Sequence, residues 1–166
     1  MRNLFTYCFL ALLITSISSC YSFRGISIPE EAKTFTVIQF DNYSVNVVPT
    51  LAQTFSEDLK RAILSQTRLS YAQSEGDLEF SGAITEYSIS PIAPQAGATS
   101  QFSRLQITVE VTYFNAYKED DNWTSRFSRF ADYESTQNFT SIQDALITDI
   151  NDQIIEDIFN RAFTNW

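Results

Sequence analysis

Few side chains in this sequence could carry out chemistry. The 166-residue chain has no histidine, and its two cysteines are Cys8 and Cys20. Serine–histidine–aspartate and cysteine–histidine catalysis, histidine-ligated zinc and cysteine-rich metal sites are therefore excluded. A carboxylate hydrolase remains as an alternative, with Glu86 and Glu110 as the candidate pair, but acidic residues on a sheet are usually solvated or paired with arginine. We therefore expect a protein that is not an enzyme and needs no cofactor.

The charge balance disfavours two classes of partner. Eleven basic residues stand against 20 acidic ones, which gives a formal net charge of −9. Binding to nucleic acid needs lysine and arginine to neutralise phosphates, so we expect no nucleic-acid partner. Attraction to an anionic lipid surface by charge alone is disfavoured for the same reason. The acidic residues 119–121, followed by Asn122, lack the ligand spacing and central glycine of an EF-hand, and they predict a solvated turn with no metal.

The first twenty residues have the pattern of a secreted leader. Arg2 supplies a positive start, residues 4–14 are strongly apolar, and small residues precede Cys20. The apolar run is shorter than the roughly 20 residues of a membrane-spanning helix, so a cleaved signal peptide is predicted. Ile-Ser-Ser-Cys at residues 17–20 resembles the lipobox of bacterial lipoproteins, in which the cysteine thiol takes a diacylglycerol and the new amino terminus is acylated. We therefore predict a lipoprotein signal peptide over residues 1–19.

Lipidation at Cys20 would hold the protein on a membrane without a transmembrane helix. No later cysteine could be its disulfide partner, although an ordinary signal peptide that happens to contain a cysteine is the alternative. Tyr21 is not the acidic residue that retains lipoproteins at the inner membrane. By analogy with lipoprotein sorting, the implied location is the periplasmic face of the outer membrane, with the acyl chains in its lipid. Residues 20–32 are interpreted as the lipidated cysteine and an extended tether, and residues 33–166 as a single domain.

Four segments of that domain have the pattern of β-strands. The third is the clearest, because apolar and polar residues alternate from Leu105 to Tyr113 and predict one core face and one polar face. In the second, a slip in the pattern between Ile84 and Tyr87, close to Gly82, predicts a β-bulge. The predicted strands cover residues 33–40, about 77–91, 105–113 and 123–133, while residues 69–72 are interpreted as a connector rather than a short strand.

Two further segments have the periodicity of amphipathic helices. The first is predicted to begin near Thr50, which has capping-box spacing to Gln53, and to end by about residue 68. The second is predicted to begin at Thr140, again with a capping box, and to run to about Phe163. Each helix has one apolar stripe and one polar face, so each is expected to pack against the sheet.

The order of elements predicts the fold class. The first helix can cross over between two parallel strands, whereas the later strands form an antiparallel meander. We predict an α+β two-layer sandwich in which two helices pack on one face of a four-stranded mixed sheet, in the order β-α-β-β-β-α. Val109 and Leu146 should be fully buried where the two layers meet. Asp41 and Asn42 are turn formers and should end the first strand.

The leader and domain together resemble the lipopolysaccharide-assembly lipoproteins of the LptE type. The resemblance covers the whole mature chain. It includes the Pro49-Thr50-Leu51 helix start, Gly82-x-Ile84-x-x-Tyr87, the alternating third strand and the Phe-Ser-Arg-Phe-Ala-Asp-Tyr sequence at 127–133. It implies an outer-membrane lipoprotein that is plug and assembly partner of an LptD-type β-barrel, the translocon that delivers lipopolysaccharide to the cell surface. A lipid-anchored periplasmic binding or scaffold module of another envelope complex is the alternative.

The resemblance also implies where the contacts lie. Residues 91–102 carry no charge and are rich in Ala, Pro, Gly and Ser, and we expect them to face the barrel or a ligand; a plain hairpin connection is the simpler alternative. Proposed lipid-binding positions in relatives are basic. The candidate contacts to lipopolysaccharide or barrel are Pro91, Gln95, Thr99, Arg104, Arg126 and Arg129. In so acidic a domain, direct binding of phosphorylated lipid A would need divalent cations that bridge the phosphates.

Overall fold

The computed structural model describes residues 28–46, 48–93 and 101–164. The strands are β1 (Thr34–Val37), β2 (Asp41–Asn42), β3 (Ser70–Tyr71), β4 (Leu78–Pro91), β5 (Phe102–Asn115) and β6 (Trp123–Glu134). The helices are α1 (Leu51–Gln66) and α2 (Phe139–Phe163), and a 3₁₀ turn at Glu119–Asp121 lies between β5 and β6. In the part of the chain so described, neither helix combines the length and the apolar character needed to cross a membrane.

The strands form one mixed sheet in the order β3-β1-β4-β5-β6, and β2 also pairs with β4. β1 is parallel to β4, and α1 lies between them in the chain, as predicted for a crossover. β4, β5 and β6 form an antiparallel meander whose first hairpin is paired from Leu78 opposite Asn115 to Pro91 opposite Ser103. The predicted α+β class, with two helices and a mixed sheet, is confirmed.

Two predicted details of the sheet are wrong. Asp41 and Asn42 do not turn the chain, because they form β2, which follows β1 along the same side of β4. The predicted connector contains β3, since the backbone N–H groups of Ser70 and Ala72 donate to carbonyl groups of the β1 segment. The sheet therefore has six strands rather than four. The two additional strands are each two residues long, which is too short to show a periodic pattern.

The helix ends agree with the prediction better than the caps do. α2 ends at Phe163, as predicted. Thr50 precedes α1 but makes no side-chain capping bond. At α2 the cap is Asn138, whose Oδ1 accepts the N–H of Thr140 at 3.1 Å. Both predicted capping boxes are therefore wrong, the second because an asparagine two residues earlier is a good cap itself.

The core lies between the sheet and the two helices. On β5, Ile107 and Val109 are fully buried, and the stripe of α2 that reaches the core includes Ile150 and Ile154, which are also fully buried. The prediction for Val109 is confirmed. The prediction for Leu146 is wrong in degree, because this side chain is only partly buried and the neighbouring Ile147 takes the core position.

The predicted bulge in β4 is present. The register with β5 shifts between Ile84 and Glu86, so that Ile84 and Tyr87 both reach the core despite their odd spacing. Gly82, just before the bulge, lies against the backbone of β5. A Cβ atom at this position would be 2.0 Å from the carbonyl oxygen of Glu110. Only glycine permits so close an approach of the two strands.

Candidate functional site

The sheet face opposite the helices is largely polar, and no described element covers it; we call this surface of β4, β5 and β6 the open face. Hydroxyl groups pair across its strands, with Thr112 and Thr124 at 2.9 Å and Thr108 and Ser128 at 3.0 Å between oxygens. These residues alternate with buried ones along β5 and mostly with partly buried ones along β6. The open face is therefore held by short polar contacts rather than by apolar packing.

Arg104 lies on the open face, near the end of β4 and the start of β5. Its Nε and Nη2 donate to the two carboxylate oxygens of Asp132 on β6, at 2.7 and 2.9 Å. Its guanidinium group also lies 3.5 Å from the ring centroid of Phe130. These hydrogen bonds lower the pKa of Asp132 and raise the pKa of Arg104. The charge of Arg104 is thus matched within its own chain.

The other two candidate arginines are also paired with carboxylates. The Nε of Arg126 donates to Oε2 of Glu110 at 2.8 Å on the open face. Arg129 lies on the opposite face, where its Nε and Nη2 donate to Asp157 of α2, both at 2.7 Å, and this hydrogen bonding raises the pKa of Arg129. Arg104 and the Glu110 partner of Arg126 are six residues apart on one strand, about 20 Å. The structure therefore does not gather the three arginines into one cationic site.

The end of the β4–β5 hairpin, which we define as residues 89–93 and 101–103, has a different character. Pro91 is the last residue of β4 and is exposed. Pairing continues beyond it, because the N–H of Ile92 donates to the carbonyl of Phe102 at 2.8 Å. Ile89 is 45% exposed and Phe102 40% exposed, and the hairpin end has no charged side chain. Gln95, Thr99 and Cys20 lie outside the described residues.

The two carboxylates considered for hydrolysis are both occupied as hydrogen-bond acceptors. Glu86 accepts from Ser88 at 2.9 Å, from Thr108 at 3.1 Å and from Gln106 at 3.3 Å. Glu110 accepts from Arg126 on the same face. Among the described residues, no three metal-ligating side chains come together in a group that could hold an ion. Both carboxylates are therefore held by hydrogen bonds to neighbouring side chains on the sheet surface.

Asp77 is a structural residue that the sequence alone did not single out. Its Oδ2 accepts the N–H of Lys33 at 2.9 Å and both the N–H and the hydroxyl of Thr34, at 2.9 and 2.8 Å. Its Oδ1 accepts the hydroxyl of Tyr117 at 3.0 Å. The hydrogen bonds from Lys33 and Thr34 lower the pKa of Asp77 to about 2. An aspartate before a strand is visible in the sequence, but its donors are 40 to 44 residues away along the chain.

The described residues form a two-layer α+β domain whose elements leave one face of the sheet uncovered, and this is the class of protein that the fold defines. The model of the LptE family, described as lipopolysaccharide-assembly, matches residues 32–162, and this chain belongs to that family. No curated protein sequence matches the chain.

Several solved lipoproteins are similar in structure. An uncharacterized lipoprotein B from Nitrosomonas europaea superposes with a TM-score of 0.51 at 12% identity, covering 81% of this chain and 88% of that one. The rare lipoprotein B from Shewanella oneidensis superposes with a TM-score of 0.49 at 8% identity, covering 78% of this chain and 90% of that one. A minor lipoprotein from Acinetobacter baumannii superposes with a TM-score of 0.48 at 12% identity, covering 80% of this chain and 97% of that one. At 12% identity the Nitrosomonas structure supports the fold alone.

Proposed function

We propose that this chain is an outer-membrane lipoprotein, anchored at the periplasmic face through acylated Cys20. In this proposal it acts as plug and assembly partner of an LptD-type β-barrel, the translocon that delivers lipopolysaccharide to the cell surface. The observation that carries the proposal is the family match over residues 32–162. The leader predicted over residues 1–19 and the tether over 20–32 supply the anchor.

The hairpin end is the part of the domain best suited to enter a barrel. Because it has no charged side chain, its transfer into a closed lumen avoids the desolvation cost of a buried charge. The exposed side chains of Ile89 and Phe102 would gain from burial against a partner. The hairpin end is carried by two 14-residue strands paired along their length, which hold it in a defined direction. We assign residues 89–103, with Gln95 and Thr99 among them, to the barrel contact.

The three arginines fit a supporting role better than direct binding of phosphate. Each guanidinium group donates to a carboxylate, so a phosphate would have to displace Asp132, Glu110 or Asp157. We therefore assign Arg104 and Arg126 to fastening β6 to β5, and Arg129 to fastening α2 to β6. In this proposal any contact to lipid A phosphates goes through bridging divalent cations.

Photo-crosslinking tests which end of the domain meets the barrel. Crosslinkers at Gln95 and Thr99 should capture a barrel-sized protein, because the proposal places them in the lumen. A crosslinker at Glu57 is the matched control, since its exposed side chain lies on the outer side of α1. Capture at Glu57 without capture at the two loop positions would mean that the helices face the barrel.

Two further measurements test the anchor and the pathway. Mass spectrometry of the membrane-extracted protein should show a diacylglyceryl mass on a peptide that starts at Cys20, and Cys20→Ala should leave the protein soluble or uncleaved. Depletion of the protein should reduce lipopolysaccharide at the cell surface, and a barrel protein should co-purify at a one-to-one ratio. An unmodified terminus would refute the anchor, and unchanged surface lipopolysaccharide would refute the pathway.

A further inference from the structure

The outer side of β1 is only partly covered by β3. Backbone pairing of the two strands ends where the N–H of Ala72 donates to the carbonyl of Phe35 at 2.8 Å. The N–H of Ile38 donates to Phe80 of β4 at 2.9 Å, so the backbone groups of Gln39 point the other way, to the outer side. Neither group of Gln39 pairs with another backbone group among the described residues. Such an unpaired edge is a template for a further strand.

A groove with a volume of about 330 Å³ lies beside this edge, between β1, α1 and the end of β3, and we call it the edge groove. Ile38 and Tyr71 line it and are 46% and 40% exposed. The N–H of Phe40 donates to Oγ of Ser56 at 2.9 Å, which fastens the chain to α1 and ends the unpaired stretch at Gln39. The edge groove therefore combines free backbone groups with accessible apolar surface.

The charges in the edge groove favour a basic ligand. Oε2 of Glu57 lies 2.5 Å from Nζ of Lys60, and the same ammonium group lies 5.1 Å from the ring centroid of Tyr71. The charge of Lys60 is therefore matched within the chain. Its side chain is 26% exposed, against 54% for Glu57, so the carboxylate is the more accessible of the two. The net charge of −9 also attracts cations at longer range.

We propose that the edge groove binds an extended, basic peptide segment of a second protein, which adds to β1 as a further strand. The backbone of the peptide pairs with Gln39 and supplies affinity, while alternate side chains supply specificity. Because side chains alternate along a strand, every second residue of the peptide faces α1. There a lysine or arginine meets the ring of Tyr71 and the carboxylate of Glu57. The residues between them lie on the side of Ile38 and are apolar.

The edge groove is far from the proposed barrel contact. Val37, at its rim, lies opposite Phe80 of β4, which precedes Pro91 by eleven residues or roughly 35 Å along the strand. The apolar band of a membrane barrel is only about 25 Å tall, so a hairpin end inside the barrel leaves the edge groove beyond that band. We assign the peptide to a protein other than the barrel, and a capture at Glu57 would differ in mass from the barrel. The proposal is therefore independent of the barrel.

A synthetic peptide tests the edge groove directly. The probe is a fluorescently labelled hexapeptide in which lysine and isoleucine alternate. Its anisotropy should rise on binding to the full chain, extracted in detergent, with a Kd below about 1 mM. A control peptide with three lysines followed by three isoleucines has the same charge and composition without the alternation, and it should bind about tenfold more weakly. No binding of the probe, or equal binding of the two peptides, overturns the proposal.

Variants of the edge separate pairing from general attraction. Ile38→Lys places a charge where the apolar residue of the peptide packs, and it should weaken binding of the probe about tenfold. Gln39→Pro removes an outward N–H that pairs with no described backbone group, and it should have a similar effect. Phe114→Lys is the matched control, since Phe114 is 47% exposed on β5 and does not line the groove. Parent-like binding by both edge variants overturns the proposal.

A charge variant and a crosslink locate the peptide. Glu57→Gln should weaken binding of the lysine probe about threefold or more, but it should not affect a probe with threonine in place of lysine. Asp152→Asn, at an exposed position of α2, makes the same charge change elsewhere and should have no effect. A photoreactive probe should crosslink to residues 37–39 or 71–73. Crosslinks confined to the hairpin end or to β6 would place the peptide elsewhere and overturn the proposal.

Discussion

The two faces of the β4–β5–β6 sheet are built from alternate residues of the same strands, yet they have opposite chemistry. On the helix-covered face Ile107 and Val109 are fully buried, whereas on the open face Gln106 and Thr108 reach the carboxylate of Glu86. Apolar burial is worth far more than a solvent-exposed polar contact. The covered face should therefore determine stability, which leaves the open face and the hairpin end available for contacts.

The sharpest test of this difference compares neighbouring residues of β5. Ile107→Ala should lower the free energy of unfolding by about 3–4 kcal/mol, from lost transfer energy and a residual cavity. Gln106→Ala, one residue away on the open face, should lower it by less than about 1 kcal/mol. Urea unfolding followed by circular dichroism measures both. Equal losses at the two positions would mean that the faces are not distinct in energy.

The contact between β4 and β5 at the bulge is the next most sensitive point. Gly82→Ala should lower the free energy of unfolding by roughly 2–3 kcal/mol, because the new methyl group would meet a backbone carbonyl that cannot move aside like a side chain. Ser81→Ala, the preceding residue on the open face, is the control and should change little. A Gly82→Ala variant as stable as the parent would show that β4 moves away from β5 without cost.

Most of the fold could be predicted because its signals are local. The alternation from Leu105 to Tyr113 and the slip near Ile84 each depend on residues close in sequence. The two-residue strands could not be predicted, since Ser70 is held by a segment 36 residues earlier and has no pattern of its own. The cap of α2 was misplaced because both Asn138 and Thr140 are acceptable cap residues, and only the backbone distinguishes them.

The candidate site was less predictable, because most of its contacts join residues that are distant in sequence. The lack of charge around Pro91 is a property of composition and could be read directly. The environment of the arginines could not, because Arg104 and Arg129 each pair with an aspartate 28 residues further along the chain. Strand alternation places Arg129 on the opposite face from Arg126, but the carboxylate that each one meets depends on register and helix packing.

The pH dependence of stability tests the hydrogen bonds by which Asp77, just before β4, holds the start of β1. Its folded pKa of about 2 is lower than the ordinary 3.8, so the ionised form stabilises the fold. This stabilisation is complete above about pH 4 and is lost as the pH falls towards 2. Asp77→Asn should therefore be less stable than the parent at pH 6, and the difference should shrink by pH 2. Urea midpoints at both pH values measure this.

Asp120→Asn is the control for that experiment, since Asp120 is exposed on the 3₁₀ turn. It should follow the parent profile throughout. If Asp77→Asn also ran parallel to the parent from pH 6 to pH 2, the hydrogen bonds from Lys33 and Thr34 would not be coupled to ionisation of the carboxyl group.

The smallest effect is expected at the centre of the open face. Glu86→Gln keeps one carbonyl oxygen for the hydroxyl donors around it, so the free energy of unfolding should change by less than about 0.5 kcal/mol. In depleted cells the variant should restore surface lipopolysaccharide as well as the parent does, because the proposed function uses no carboxylate chemistry. Glu79→Gln, on the same face of β4, is the matched control. Loss of surface lipopolysaccharide with Glu86→Gln alone, at equal protein levels, would revive the carboxylate alternative and assign the open face a chemical role.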